Sequence, residues 1–267
     1  MQFWTVEEIE RHAMADHEVG EEIAPGVTIT RRQILKMGVA GLAVLSGAGC
    51  ASVGRKGSKA ADAAPDALSI EQLLTELRPE AMRLIASEKP DEPAYLAAVS
   101  KLLTRFRPNT PWAAREPREG EFSMAPFAAM PPVIVLNIHM RPGSKIDLHD
   151  HRHYNGVLYC TEGSVRCRNF DIVQPDGQRL DVVAGEVPPK DEDFLIRQSS
   201  DATLRPGIAS MLSRDRDNIH HVEAGPDGCQ LTDLFTYFRR EARSYGLDWD
   251  EKPLSRGSDL YQVRWKG

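Results

Sequence analysis

Three things are scarce in this 267-residue chain, and each scarcity excludes a class of protein. Cysteine occurs four times, at Cys50, Cys160, Cys167 and Cys229, too few and too scattered for a scaffold stapled by disulfides. Basic excess is missing: 33 Lys and Arg stand against 39 Asp and Glu, a net charge of -6, so no nucleic-acid partner is expected. Apolar runs of bilayer-spanning length are missing too; the stretch 37–48 is short and rich in glycine and alanine. With 41% hydrophobic and 27% charged residues, the composition is that of a globular chain rather than a disordered one.

What is present begins with an address. Arg31 and Arg32, with Ile34, Leu35 and Lys36 after them, stand just before the 37–48 stretch. The arrangement resembles a twin-arginine export signal. Leu45 to Cys50 resembles a lipoprotein box, although Gly47 stands where a bulky aliphatic residue is usual. Acylation of Cys50 and ordinary cleavage near Ala51 both stay open. Either implies the twin-arginine export machinery as a partner and an exported, periplasmic protein, tethered to the membrane in the first case only.

The expected organisation is a signal region over 1–50, a linker over 51–67, a helical segment over 68–108 and a β domain over 109–267. Ser69 to Gln72 has capping-box spacing ahead of Leu73, Leu74 and Leu77, with Pro79 predicted to kink or split the helix. A second helix is predicted from Asp91, with Pro93 in its first turn and Pro108 at its end. From Pro131 onward the pattern changes. Val133 to Ile138 reads as a buried strand, and Val157–Cys160 and Val165–Ile172 as a hairpin turning at Glu162-Gly163. In such a hairpin Cys160 and Cys167 are diagonal neighbours, so a disulfide between them is not favoured. Further strand-like runs lie at 180–183, 209–212, 219–224 and 230–238. Many short strands with regular turns suggest a sandwich or barrel.

Six of eight histidines fall in this half, at 139, 149, 151, 153, 220 and 221. His149 and His151 are two apart, which in a strand puts both imidazoles on one face, as two metal ligands require. A third ligand is expected from His220 rather than His221. If His220 points inward, Val222 and Ala224 follow it and His221 and Glu223 face water; the reverse would bury a carboxylate. His153 is the reserve ligand, with a place at the pocket mouth preferred. His139 reads as a packed core histidine.

Gly143, His149, His151 and Gly163 have the spacing of the first cupin motif, with Gly156 where that motif has a glutamate. The chain therefore resembles the cupin family, which implies an all-β double-stranded β-helix (jelly-roll) barrel under an N-terminal helical layer. Leu148 to His151, the missing glutamate and Asp217 to His220 further resemble thiol dioxygenases of the cysteamine dioxygenase and plant cysteine oxidase type. That resemblance implies iron(II) on His149, His151 and His220, dioxygen as co-substrate, and a small thiol (cysteine, cysteamine or a relative) oxidised to a sulfinate. It also implies a catalytic carboxylate after the last histidine, to which Asp233 corresponds. Tyr154 and His153 are the candidate substrate-binding residues. Another cupin metalloenzyme acting on a non-thiol substrate, and a non-catalytic metal- or ligand-binding cupin, remain the rival readings.

Overall fold

The computed structural model describes residues 66–107, 116–239 and 242–266. Arg31, Arg32, Cys50, most of the linker and Pro108 lie outside them. Helix α1 (Ile70–Ala86) starts where its sequence says it should. The Ser69 side chain accepts from the Gln72 backbone N–H, and the Gln72 side chain accepts from that of Ser69, so two otherwise orphaned donors are satisfied. Of the kink or split expected at Pro79, the split does not occur: the helix continues through it to Ala86. Helix α2 (Glu92–Leu103) is capped by Asp91 with Pro93 in its first turn, and it ends well before Pro108. No helix of the described residues is long and apolar enough to cross a membrane.

Among the described residues nine strands follow: β1 (Phe122–Met130), β2 (Val133–Met140), β3 (Lys145–Asp150), β4 (Tyr154–Val173), β5 (Phe194–Leu204), β6 (Ala209–Leu212), β7 (Ile219–Tyr237), β8 (Leu247–Asp248) and β9 (Leu260–Trp265). The spine is the antiparallel pair β4 and β7, matched from Tyr154 opposite Tyr237 to Phe170 opposite Ile219. Their two halves serve different walls. The first half of β4 and the second half of β7 pair with β6 and β2, and β1 extends that wall beyond β2. The second half of β4 and the first half of β7 pair with β5 and β3, and β9 extends this wall beyond β5. Two antiparallel walls sharing a bent pair make the double-stranded β-helix of a cupin, so the fold is an all-β cupin barrel with an N-terminal helical layer.

This arrangement corrects the expected hairpin. Glu162 and Gly163 do not reverse the chain; they form an irregularity at which β4 passes from one wall to the other. Gly163 has φ 71, and a Cβ there would sit 2.1 Å from the Gly228 carbonyl oxygen, so only glycine allows the approach. Cys160 and Cys167 consequently stand in different walls, opposite Leu231 and Val222, and Cys160, Cys167 and Cys229 are all free thiols. The runs at 219–224 and 230–238 are likewise one strand, β7, while 180–183 lies in a turn region rather than a strand.

Alternation along β2 separates the two sides of the first wall. Val133 and Val135 point outward and join Val157, Tyr159 and Leu234 beneath Leu73, Leu77, Val99 and Leu103 of the helices. Each leucine so buried contributes about 1.5–3 kcal/mol, which is why the amphipathic helices hold to this wall. Polar ties fix their position: Tyr95 Oη lies 2.7 Å from Thr236 Oγ1, and buried Glu92 accepts from Arg214 Nε at 2.8 Å. Leu136 and Ile138, on the other face of β2, point into the barrel. His139 has the outward parity and is half-buried, not the packed core histidine expected of it.

Candidate metal centre

Each wall brings its own chemistry to the barrel interior. From the second wall, β3 supplies His149, the residue just past its end is His151, and β7 supplies His220 directly opposite His149. An irregularity between Ile146 and His149 resets the alternation of β3, so the inward face passes from Ile146 to His149, and His151, two residues on, shares it. All three are buried. His149 Nε2 lies 2.9 Å from His220 Nε2 and 3.3 Å from His151 Nε2, and the three ligating nitrogens fall within 4.8 Å of one another.

The protonation of this cluster follows from its surroundings. Burial pushes the His149 imidazole down to about 4, and burial together with its neighbours holds His151 and His220 well below the usual histidine range. All three are neutral at pH 7 and have lone pairs to offer. His149 Nδ1 lies 2.7 Å from the Asp147 carbonyl, which can only accept, so Nδ1 carries the hydrogen and Nε2 the lone pair. Three buried neutral imidazoles with converging Nε2 atoms fit one divalent transition metal; iron, zinc, copper and nickel all accept such ligands. Gly156 leaves the place of a fourth ligand empty: a Cβ there would be 3.5 Å from His151 Nδ1, a buried atom without a hydrogen-bond partner.

The facing wall is mainly apolar. Leu136, Ile138, Leu158 and Phe235 line a cavity of about 60 Å³ together with the histidines, and Asp233 stands among them. Asp233 sits on β7 between Leu136 of β2 and Leu158 of β4. Its Oδ1 is fully buried and has no partner, and burial alone pushes the carboxyl up to about 7. A carboxyl raised in the folded state costs stability as pH climbs through its folded pKa. In metal-free protein, Asp233→Asn should therefore unfold at higher urea concentration than the parent at pH 8, the gain shrinking toward pH 5. A parent curve that is flat between pH 5 and 8 relative to the variant would mean that Asp233 is paired in solution.

Of the expected substrate-binding pair, Tyr154 lines the cavity and His153 does not. Tyr154 packs on His151 at 4.5 Å between ring centroids and on Phe235 at 5.0 Å, and its hydroxyl meets Ser244 Oγ. His153 is half-buried against Tyr245, 5.9 Å between centroids. His221 corrects the expectation that it faces water. It does lie on the outer face of β7, but it is as buried as His220, with Trp249 5.3 Å away and Arg168 Nη2 3.1 Å from its Nδ1. Trp249, from the segment after β8, covers that face, a long-range contact that strand parity does not foresee. Glu223 remains at the surface near Lys145.

Three parts of the site have no signal in the local pattern. Ala242, Arg243 and Ser244 line the cavity from a segment without periodicity. That segment is tied to the end of β3: the Tyr245 N–H donates to Asp150 Oδ1 at 2.7 Å, and Ser244 Oγ to the Asp150 carbonyl at 2.9 Å. Asp150 is itself buried and paired with Arg152; burial, opposed by that guanidinium, pushes it up to about 6. Phe122 and Met124 of β1 complete the wall, and Cys167 lies behind His220 with its thiol pushed up by burial to about 12.

No family model matches the chain, and no curated protein does. Among solved structures it is similar to KdgF from Halomonas sp., at 14% identity over 47% of this chain and 86% of that one, TM-score 0.32. A cupin-like protein from Thermotoga maritima matches at 12% identity over 48% and 76%, TM-score 0.32. An oxalate oxidase matches at 12% identity over 42% and 45%, TM-score 0.28. What stands on the geometry is a cupin barrel with three buried histidines able to hold a metal ion.

Proposed function

We propose that this chain is an exported non-haem iron(II) thiol dioxygenase that turns a small thiol into its sulfinate. The observation that carries the reading is a three-imidazole group with no carboxylate ligand, set against a mainly apolar wall in which Asp233 is the one acidic side chain among the described residues lining the cavity. Iron(II) on His149, His151 and His220 would supply the chemistry that joins dioxygen to a thiol sulfur, RSH + O2 giving RSO2H.

The protein residues have separate tasks. Leu136, Leu158 and Phe235 keep water from the reacting sulfur, which strengthens every polar interaction in the cavity. Asp233 is poised near neutrality, so its Oδ1 can hold the proton a thiol sheds on binding, or the amino group of an aminothiol. Tyr154 bounds the cavity beside His151 and is fixed by Ser244. Export in a folded state, as the Arg31-Arg32 signal implies, would let iron be loaded before the protein meets competing zinc and copper.

The test is oxygen consumption by iron(II)-loaded protein offered a panel of small thiols. Uptake that depends on the thiol, one dioxygen per thiol consumed, is the expected result. Bound iron without uptake for any thiol would move the function to a non-thiol cupin enzyme, and stoichiometric tightly bound zinc without activity to a binding module.

A further inference from the structure

A metal-ligating imidazole must keep one nitrogen for the metal and place the hydrogen of the other. His149 does so on the Asp147 carbonyl. His220 has a different arrangement. Its Nδ1 faces Cys167 Sγ at 3.9 Å, a long contact to a weak acceptor. Cys167 is buried on β4, opposite Val222, and Asn169 of the same strand is directly opposite His220. The thiol donates to Asn169 Oδ1 at 3.2 Å, and Asn169 Nδ2 donates to Ser210 Oγ on β6 at 3.0 Å. With the thiol hydrogen committed to Asn169, the sulfur presents lone pairs to His220.

We infer that Cys167 is a positioning residue for His220, taking the Nδ1 hydrogen on its sulfur so that Nε2 faces the metal. The inference rests on the three-histidine metal reading. Asn169 and Ser210 set the direction of the thiol, so the orientation of the ligand is anchored on a third strand, β6. A thiol in this place fixes the tautomer while adding little basicity, whereas a carboxylate would make the imidazole a stronger donor. The other ligands are held differently: His149 by backbone, and His151 with Nδ1 unpartnered.

The test uses cobalt(II) as the probe, read by chelator competition and by its visible ligand-field spectrum. Cys167→Val keeps the volume and loses the acceptor; it should weaken cobalt binding about tenfold and alter the spectrum. Cys167→Ser, which can still accept, should return both toward the parent values, a rescue that a packing role would not give. Should Cys167→Val fail to fold, Ser210→Ala leaves the sulfur in place and should still alter the spectrum in the same direction. Parent-like affinity and spectrum in the folded Val variant, or in Ser210→Ala if Val does not fold, would overturn the inference while leaving the metal site standing. No cobalt binding by the parent chain would instead overturn the metal reading, and this inference with it.

Discussion

His220→Ala is expected to lose metal binding altogether, more than about 100-fold in affinity, whereas His221→Ala keeps it within a few-fold. The lower bound follows because residues that merely orient a ligand already account for about 10–100-fold. The two side chains are adjacent and equally buried, so burial does not distinguish them. Direction does: His220 Nε2 is 2.9 Å from His149 Nε2 inside the barrel, while His221 Nδ1 meets Arg168 on the outer face. His221→Ala still has a cost, because Arg168 is buried and loses a partner, and a destabilisation of about 1–3 kcal/mol in urea is expected. Isothermal titration with cobalt(II), beside urea unfolding of the metal-free variants, separates the two effects. Metal loss in His221→Ala with retention in His220→Ala would mean that β7 presents the other face to the cavity.

The largest effect on folding is expected at Gly163. Gly163→Ala places a methyl 2.1 Å from the Gly228 carbonyl oxygen in a left-handed backbone, so both the strand bend and the approach of β7 must give way. A loss of roughly 3 kcal/mol or more is expected, from left-handed strain together with overpacking. Gly207→Ala is the control. It has a similar φ of 92 but nothing within 4 Å of the added Cβ, so only the backbone strain, about 1 kcal/mol, applies. The difference in urea midpoint between the two variants measures the close approach itself. Equal midpoints would show that β4 and β7 do not come this near at the corner of the barrel.

Gly163 also shows where sequence reading stops. A glycine with positive φ between two apolar runs has the same local signature whether the chain reverses or bends, and only the pairing of both halves of β4 with β7 decides between them. Local signals with a single physical outcome did translate into structure: the Ser69 capping box, the Asp91 cap and the buried run of β2. The inward face of His220 was legible because burying Glu223 would have been costly, and Glu223 is indeed left at the surface. The burial of His221 was not legible, since it depends on Trp249, 28 positions further along the chain, folding back over β7. The wall formed by Ala242 to Ser244 escaped for a similar reason. Its place is set by hydrogen bonds to Asp150 rather than by any periodicity of its own.

Asp233 owes its character to strands distant in sequence that meet in one wall. Its neighbours across the strands are leucines, so its raised carboxyl is a property of the assembled barrel and not of its local sequence. A carboxylate kept in such surroundings opposes stability at neutral pH, which is the pattern expected of a group retained for chemistry.

The most direct test of the whole account is mass spectrometry of the product formed by iron(II)-loaded protein from a small thiol under 18O2. The account predicts a sulfinate carrying two labelled oxygen atoms, formed by the parent chain and not by His220→Ala. Disulfide as the only product, or sulfinate without the label, would contradict it.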